Sequence, residues 1–229
     1  MDSTNSRETL ENRAYEALKT AIVTGVYPPG AQIVEELAAS QLAVSRSPVR
    51  SAIKRLQAEG FLERYPNKRI YVAMADAEKT KNALYIREAL EGMASRLAAL
   101  RRDEADVAAL RQAEQALDRR AREGDTAGLY LAEMQLHRAV LSACKNPQLE
   151  RLAANLLDQE CVFRYRSMVM DQARSADSLS EHKAIVQAVI RQDADAAEHL
   201  ARNHIHQLLQ WVSRAAALPA APLRPLSSD

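Results

Sequence analysis

Cysteine is nearly absent from this chain of 229 residues: there are two, Cys144 and Cys161. That is too few for a disulfide framework, and neither stands in a C-x-x-C or comparable ligand spacing, so both read as reduced structural thiols. Long apolar runs are missing as well. No stretch approaches the roughly 20 residues that span a bilayer, and the opening MDSTNSRETLENR has no apolar signal segment. The expectation is a soluble, cytoplasmic protein with no membrane partner. A large excess of charge is lacking too, the net being +1, which argues against a protein that coats nucleic acid with its whole surface. What the chain does have is a hydrophobic fraction of 47%, enough to build a core and to exclude wholesale disorder.

Glycine and proline are scarce, and their placement divides the sequence. Gly25, Pro28, Pro29, Gly30, Pro48, Gly60 and Pro66 crowd into the first part, whereas from Asn67 to Leu218 the only breakers are Gly92, Gly124, Gly128 and Pro147. The second part therefore reads as almost entirely helical, about six helices in an antiparallel bundle from about Ala75 to Ala216, with N-caps expected at Asp103, Asp125 and Asp177. The domain boundaries that follow are 1–75 and 76–216, with 217–229, rich in proline and serine, expected to be a disordered tail. The fold class is mainly α.

The first part reads as three short helices and a hairpin. Leu10 to Thr24 carries a helical stripe of Leu10, Ala14, Ala17, Leu18, Ala21 and Ile22, and Val34 to Ser40 makes a second helix. Ser47 is placed to cap a third, with Pro48 at its first position, where a missing N–H costs nothing. In that third helix Val49, Ala52, Ile53 and Leu56 fall at i, i+3, i+4 and i+7, leaving Ser47, Arg50, Ser51 and Lys54 outward. After Gly60, Phe61 to Glu63 and Ile70 to Ala73 read as two strands of a wing. This is the plan of a winged helix-turn-helix, whose second motif helix lies in the major groove of DNA.

Charge is concentrated in the same place. From Leu42 to Ile70 there are seven basic residues (Arg46, Arg50, Lys54, Arg55, Arg64, Lys68, Arg69) against two acidic ones (Glu59, Glu63), so the rest of the chain is net acidic. A basic block in an acidic chain fits one module that meets a polyanion, although a merely solvated charged face would look the same. Arg46 and Arg50 stand at the leading end of the third helix, where a guanidinium can fork onto guanine O6 and N7. Lys54, Lys68 and Arg69 suit phosphate or minor-groove contacts.

The residues from Ile22 to Val72 resemble the N-terminal domain of the GntR family of bacterial transcription regulators. The resemblance rests on G-x-x-x-P-G at Gly25 to Gly30, E-x-L-A at Glu35 to Ala38, and S-R-S-P-V-R-x-A-I-x-R-L-x-x-E-G at Ser45 to Gly60. It implies that Arg46 and Arg50 read double-stranded operator DNA. Three positions depart from the family's pattern: Ala43 replaces the turn glycine, Ser51 the glutamate after the second arginine, and Arg69 the wing glycine.

Of the five histidines, three lie on apolar stripes. His137 shares its face with Glu133, Leu136, Val140 and Leu141; His182 with Ile185, Val186 and Val189; His204 with Leu200, Leu208 and Trp211. His199 and His206 share a polar set. If the last two long helices turn near Asp193, His182 lies 11 residues before the turn and His204 11 after it, so both sit at one height. Glu133 and His137, four apart, project together from a third helix. One carboxylate and three imidazoles would suit zinc, nickel, manganese or iron with an open position for water or ligand. The plainer alternative is a helix ion pair beside hydrogen-bonded core histidines.

From about Tyr85 to Leu209 the chain resembles the FCD ligand-binding domain of the FadR subfamily of those regulators. The matching pieces are I-R-x-x-L-E at Ile86 to Glu91, E-x-x-x-H at Glu133 to His137 followed by Asn146-Pro147 and Leu149, E-H-x-x-I-x-x-A at Glu181 to Ala188, and His204. The resemblance implies a divalent metal held by Glu133 (Asp in metal-binding members), His137, His182 and His204, and a small organic acid effector in its open positions. Arg87 is then the candidate clamp for the effector's carboxylate, against the alternative of an ion pair with Glu91. The leading reading is a homodimeric, ligand-responsive transcription regulator on an operator palindrome, and no enzyme. Two rivals are a metal-free regulator with a larger ligand, and a helical-bundle metalloenzyme. The latter leaves the basic helix unexplained and lacks a second inward acid or base.

Overall fold

The computed structural model describes residues 3–23, 26–28, 30–66, 68–73, 76–159 and 171–215. The chain divides between Ala75 and Asp76 into two compact units. Cys161 and the segment 217–229 lie outside the described residues.

The first unit runs α1 (Ser3–Val23), β1 (Gln32–Ile33), α2 (Glu35–Gln41), α3 (Arg46–Ala58), β2 (Leu62–Arg64) and β3 (Ile70–Val72). The apolar stripes meet as their spacing requires: Ala14, Leu18 and Ile22 of α1 and Val49, Ile53 and Leu56 of α3 are buried, each large aliphatic contributing roughly 1.5–3 kcal/mol. The wing strands pair antiparallel, Leu62 with Val72 and Arg64 with Ile70. A third strand, β1, joins β3 on its other side, giving the order β1-β3-β2. Helix α3 begins two residues earlier than its proline suggests. Ser45, not Ser47, is the N-cap residue and its side chain makes no capping bond. Pro48 is third in the helix, where its missing N–H is still one that no turn would use.

The second unit is a bundle of α4 (Ala77–Arg101), α5 (Glu104–Glu123), α6 (Thr126–Ala143), α7 (Pro147–Gln159), α8 (Gln172–Ile190) and α9 (Ala194–Ala215). Aspartates start five of them, Asp193 included, whose Oδ1 accepts from Ala196 N at the start of α9. Asp76 accepts from the backbone of Glu78 and Lys79, Asp103 and Asp106 form a capping box, Asp125 accepts from Gly128, and Asp171 from Arg174. The backbone N–H of Asp106 and the Lys145 ammonium hold the Asp103 carboxyl below its ordinary range. Asp177 does not cap a helix: it lies inside α8, which begins at Asp171 instead. The five residues between contain no glycine or proline to stop the helix.

The core contains many alanines, with Ala94, Ala98, Ala99, Ala197 and Ala201 in one buried cluster. Such small side chains let α9 pack along α4. At Gly92 a Cβ would come within 2.7 Å of Arg202 Cγ, so a larger residue there would displace that arginine. Two arginines at the end of α4 close the carbonyl ends of other helices: Arg101 donates to Cys144 O at 3.3 Å, after α6, and Arg102 to Ile190 O at 2.7 Å, at the end of α8. The C-terminal ends of α4, α6 and α8 therefore lie together. Cys144 is buried, and burial pushes its thiol above the ordinary range.

Candidate functional site

The turn Arg191-Gln192-Asp193 reverses the chain between α8 and α9, with Asp193 N donating to Ala188 O at 3.0 Å. His182 on one helix and His204 on the other then face each other, ring centroids 4.4 Å apart. His137 enters from α6, 4.8 Å from the His182 ring and 5.4 Å from that of His204. All three are buried, and one nitrogen from each lies within 4.8 Å of the other two. His199 and His206 are exposed.

Each imidazole is held from behind. His137 Nδ1 is 2.9 Å from Glu91 Oε2, and Arg87 Nε donates to the other oxygen of Glu91 at 2.7 Å. His204 Nδ1 is 2.6 Å from Glu181 Oε2, and Arg174 grips both oxygens of Glu181 at 3.1 and 2.9 Å. His182 Nδ1 lies 3.4 Å from Ser178 Oγ, whose hydroxyl donates to Glu133 Oε1 at 3.3 Å. The carboxylates favour a proton on the Nδ1 atoms of His137 and His204, which turns the Nε2 lone pairs inward. The Nε2 atoms of His137 and His182 are 2.9 Å apart. At that distance either one proton or, with both nitrogens unprotonated, one cation can lie between them. Three converging imidazoles, two of them backed by carboxylates, are a donor set that suits zinc and its divalent neighbours.

Two predicted residues stand apart from the converging nitrogens, and for Arg87 it is the ion pair with Glu91, the alternative its spacing offered, that forms. Glu133 is buried and stands outside the group of converging nitrogens, its Oε1 3.7 Å from the outer nitrogen of His182. Arg87 has no exposed surface and is committed to Glu91, its Nη2 also contacting that carboxylate. Sequence reasoning offered Glu91 only as an ion-pair partner of Arg87, and gave Ser178, Glu181 and Arg174 no role at the site. Glu91 had a signal in its i, i+4 spacing from Arg87. Glu181 had none toward His204, which sits on another helix, and Arg174 lies seven residues before it on its own. A small cavity of about 10 Å³, room for roughly one water, adjoins the histidines and is lined by Glu91, Ser95, His137, His182, Ile185 and Ala201 among others.

In the first unit Arg46, Ser47, Arg50 and Lys54 are exposed on α3, and Lys68 and Arg69 are exposed at the wing. Arg55 is occupied differently: its guanidinium lies 3.6 Å over the Tyr15 ring and donates to Glu59 Oε1 at 3.1 Å, tying α3 to α1. Arg50 donates through Nε to Glu35 Oε2 at 3.1 Å, and its Nη2 is 3.1 Å from the same oxygen. In the wing turn the residue with positive φ is Lys68, at 63°, while Arg69 accepts from Tyr65 N through its carbonyl at 3.0 Å.

The family model described as bacterial regulatory proteins, gntR family, matches residues 10–72, and the FCD domain model matches residues 82–207. Among curated proteins, the chain is 32% identical over 208 residues to the probable D-xylose utilization operon transcriptional repressor of Paenarthrobacter nicotinovorans, covering 90% of this chain and 91% of that one. It is 29% identical over 216 residues to the galactonate operon transcriptional repressor of Escherichia coli, covering 85% and 93%. Among solved structures, E. coli McbR/YncC superposes with a TM-score of 0.79 at 21% identity, over 90% of this chain and 98% of that one. At that identity the match shows shared fold.

Proposed function

The chain belongs to the gntR family of bacterial regulatory proteins and carries an FCD domain after its DNA-binding segment, and on that premise we propose a homodimeric, cytoplasmic regulator of the FadR type that loads a divalent metal and senses a small organic acid. As a transcription regulator it is no enzyme. Among the described residues no helix is long and apolar enough to cross a membrane.

The observation that carries the metal reading is the convergence of one nitrogen from each of three buried histidines within 4.8 Å, with the His137 and His204 rings held at their outer nitrogens by Glu91 and Glu181. His137, His182 and His204 hold the ion, zinc foremost, with nickel, manganese or iron also suited to the set. Glu133, on the outer side of His182, is assigned an orienting role through Ser178. When bound, the ion supplies open positions that accept a carboxylate. Arg87 is engaged with Glu91, so His137, His182 and His204, by holding the ion, would supply the place where the effector's carboxylate is held. One relative is named for a galactonate operon, in keeping with a hydroxy acid that chelates through its carboxylate and a neighbouring hydroxyl.

On DNA, Arg46, Ser47 and Arg50 read base edges from α3, and Lys54, Lys68 and Arg69 anchor phosphates or enter the minor groove. Two copies related by a two-fold axis present two reading helices to a palindrome. The exposed Tyr85, Ile86, Met93 and Leu100 of α4 supply an apolar face for that pairing. Effector binding changes operator affinity only by favouring one arrangement of the dimer over another.

Metal content of tag-free protein purified without chelator, measured beside His204→Ala, tests this reading. About one ion per chain in the wild type and its loss in the variant are expected. No metal after dialysis against zinc, nickel and manganese would replace the reading with a metal-free ligand pocket.

A further inference from the structure

The arginine assigned to base reading is already in contact with an acid. Helix α3 (RSPVRSAIKRLQA) contains no acidic residue, so the counter-charge of Arg50 comes from outside the helix, from Glu35 in the first turn of α2. One oxygen, Oε2, faces both Nε and Nη2 of Arg50, each at 3.1 Å. Glu35 thereby covers the side edge of the guanidinium. The end edge, made of Nη1 and the outer hydrogen of Nη2, is the fork that meets guanine O6 and N7 with two parallel bonds. The Arg50 side chain is 55% exposed and that of Glu35 only 20%, so the acid is the more enclosed partner and the arginine reaches outward from it.

We propose that Glu35 is a positioning residue for operator recognition: it holds the plane of the Arg50 guanidinium with its end fork outward, and it keeps Arg50 from closing on phosphates. Both effects raise discrimination. A long, uncommitted arginine on a groove-facing helix can swing onto phosphate oxygens, which adds affinity for every sequence alike and selectivity for none. A carboxylate 3.1 Å from the guanidinium opposes that swing and itself repels phosphate, but leaves the guanine fork open. Glu36, the next residue, carries the same charge and is exposed. It serves as a charge-matched control.

The inference rests on the proposed base-reading role of Arg50, and the test separates the two. The wild-type chain first selects a duplex from a random-sequence pool. Affinities are then measured for that duplex, for a scrambled duplex, and for a panel of single-base substitutions, with wild type, Glu35→Gln, Glu36→Gln and Arg50→Ala, at several salt concentrations. Glu35→Gln is expected to bind the scrambled duplex several-fold more tightly with a steeper salt dependence, by about one unit of slope. It is also expected to lose about tenfold in discrimination at the base pairs that Arg50→Ala flattens. Glu36→Gln shifts both duplexes together and leaves the substitution profile intact. If Glu35→Gln behaves as Glu36→Gln does, the positioning role is overturned while base reading by Arg50 stands. If Arg50→Ala leaves every base preference unchanged, the base-reading assignment falls, and the inference with it.

Discussion

Ala43 sits in the turn between α2 and α3 with φ +51°, in the left-handed region where a Cβ crowds the following carbonyl. A glycine is at home there. Its absence is a cost of about 0.5–1 kcal/mol that the surrounding turn sustains through Ala43 N to Ser40 O at 3.2 Å and Val44 N to Ala39 O at 3.1 Å. Ala43→Gly is therefore expected to stabilise the first unit by about that amount, seen as slower hydrogen exchange of the α2 and α3 amides. Faster exchange would mean that the added freedom of the unfolded chain outweighs the relieved strain. The wing shows the same economy of glycine. The family's glycine position is Arg69, yet the strained backbone belongs to its neighbour Lys68, so an arginine at position 69 needs no unusual conformation.

At the scale of elements, α4 faces two ways. One side carries Arg87, Glu91, Ala94 and Ser95, all buried; the other carries Tyr85, Ile86, Ala89, Met93 and Leu100, all exposed. These recur at spacings of three, four and seven, the pattern of a helix seam that meets another apolar surface. If the proposed dimer pairs through this face, Met93→Glu is expected to give a monomer in sedimentation velocity and to weaken operator binding by separating the two half-site contacts, with metal content the same as in the wild type. A dimer that survives the substitution would place the two-fold elsewhere. The helices themselves were legible from periodicity, and the histidine heights from counting 11 residues to either side of Asp193. The start of α8 was not. Its first turns point Arg174 and Ser178 inward, and polarity alone assigns such residues to solvent. They are buried because Glu181 and Glu133 answer them. Strand β1 escaped for a different reason: two residues after a proline-rich turn carry no alternation, and only the neighbouring edge of β3 makes them a strand.

At the scale of the molecule, both sites consist of basic or imidazole groups held by carboxylates from another turn or another helix: Glu35 for Arg50, Glu91 for His137, Glu181 for His204. The functional residues announce themselves by type and spacing, but their partners depend on how helices rotate against one another, which periodicity does not fix. The end of the bundle where α4 finishes is governed by the same pairing of opposites. There Arg102 answers the last carbonyls of α8, and Asp103, next in the chain, answers the first amides of α5. Arg102→Ala is expected to cost about 1 kcal/mol of stability, from one lost hydrogen bond and one uncompensated helix end, measured by denaturant unfolding beside the wild type. No loss would mean that water serves the Ile190 carbonyl equally well. Each helix end carries about half an elementary charge, and the consecutive residues Arg101, Arg102 and Asp103 set a fixed counter-charge beside three of them. Closing this end of the bundle therefore requires no uptake of ions from solution. Its stability is expected to vary little with ionic strength in the wild type and to rise with added salt in the Arg102 variant, where mobile ions must do what the guanidinium did.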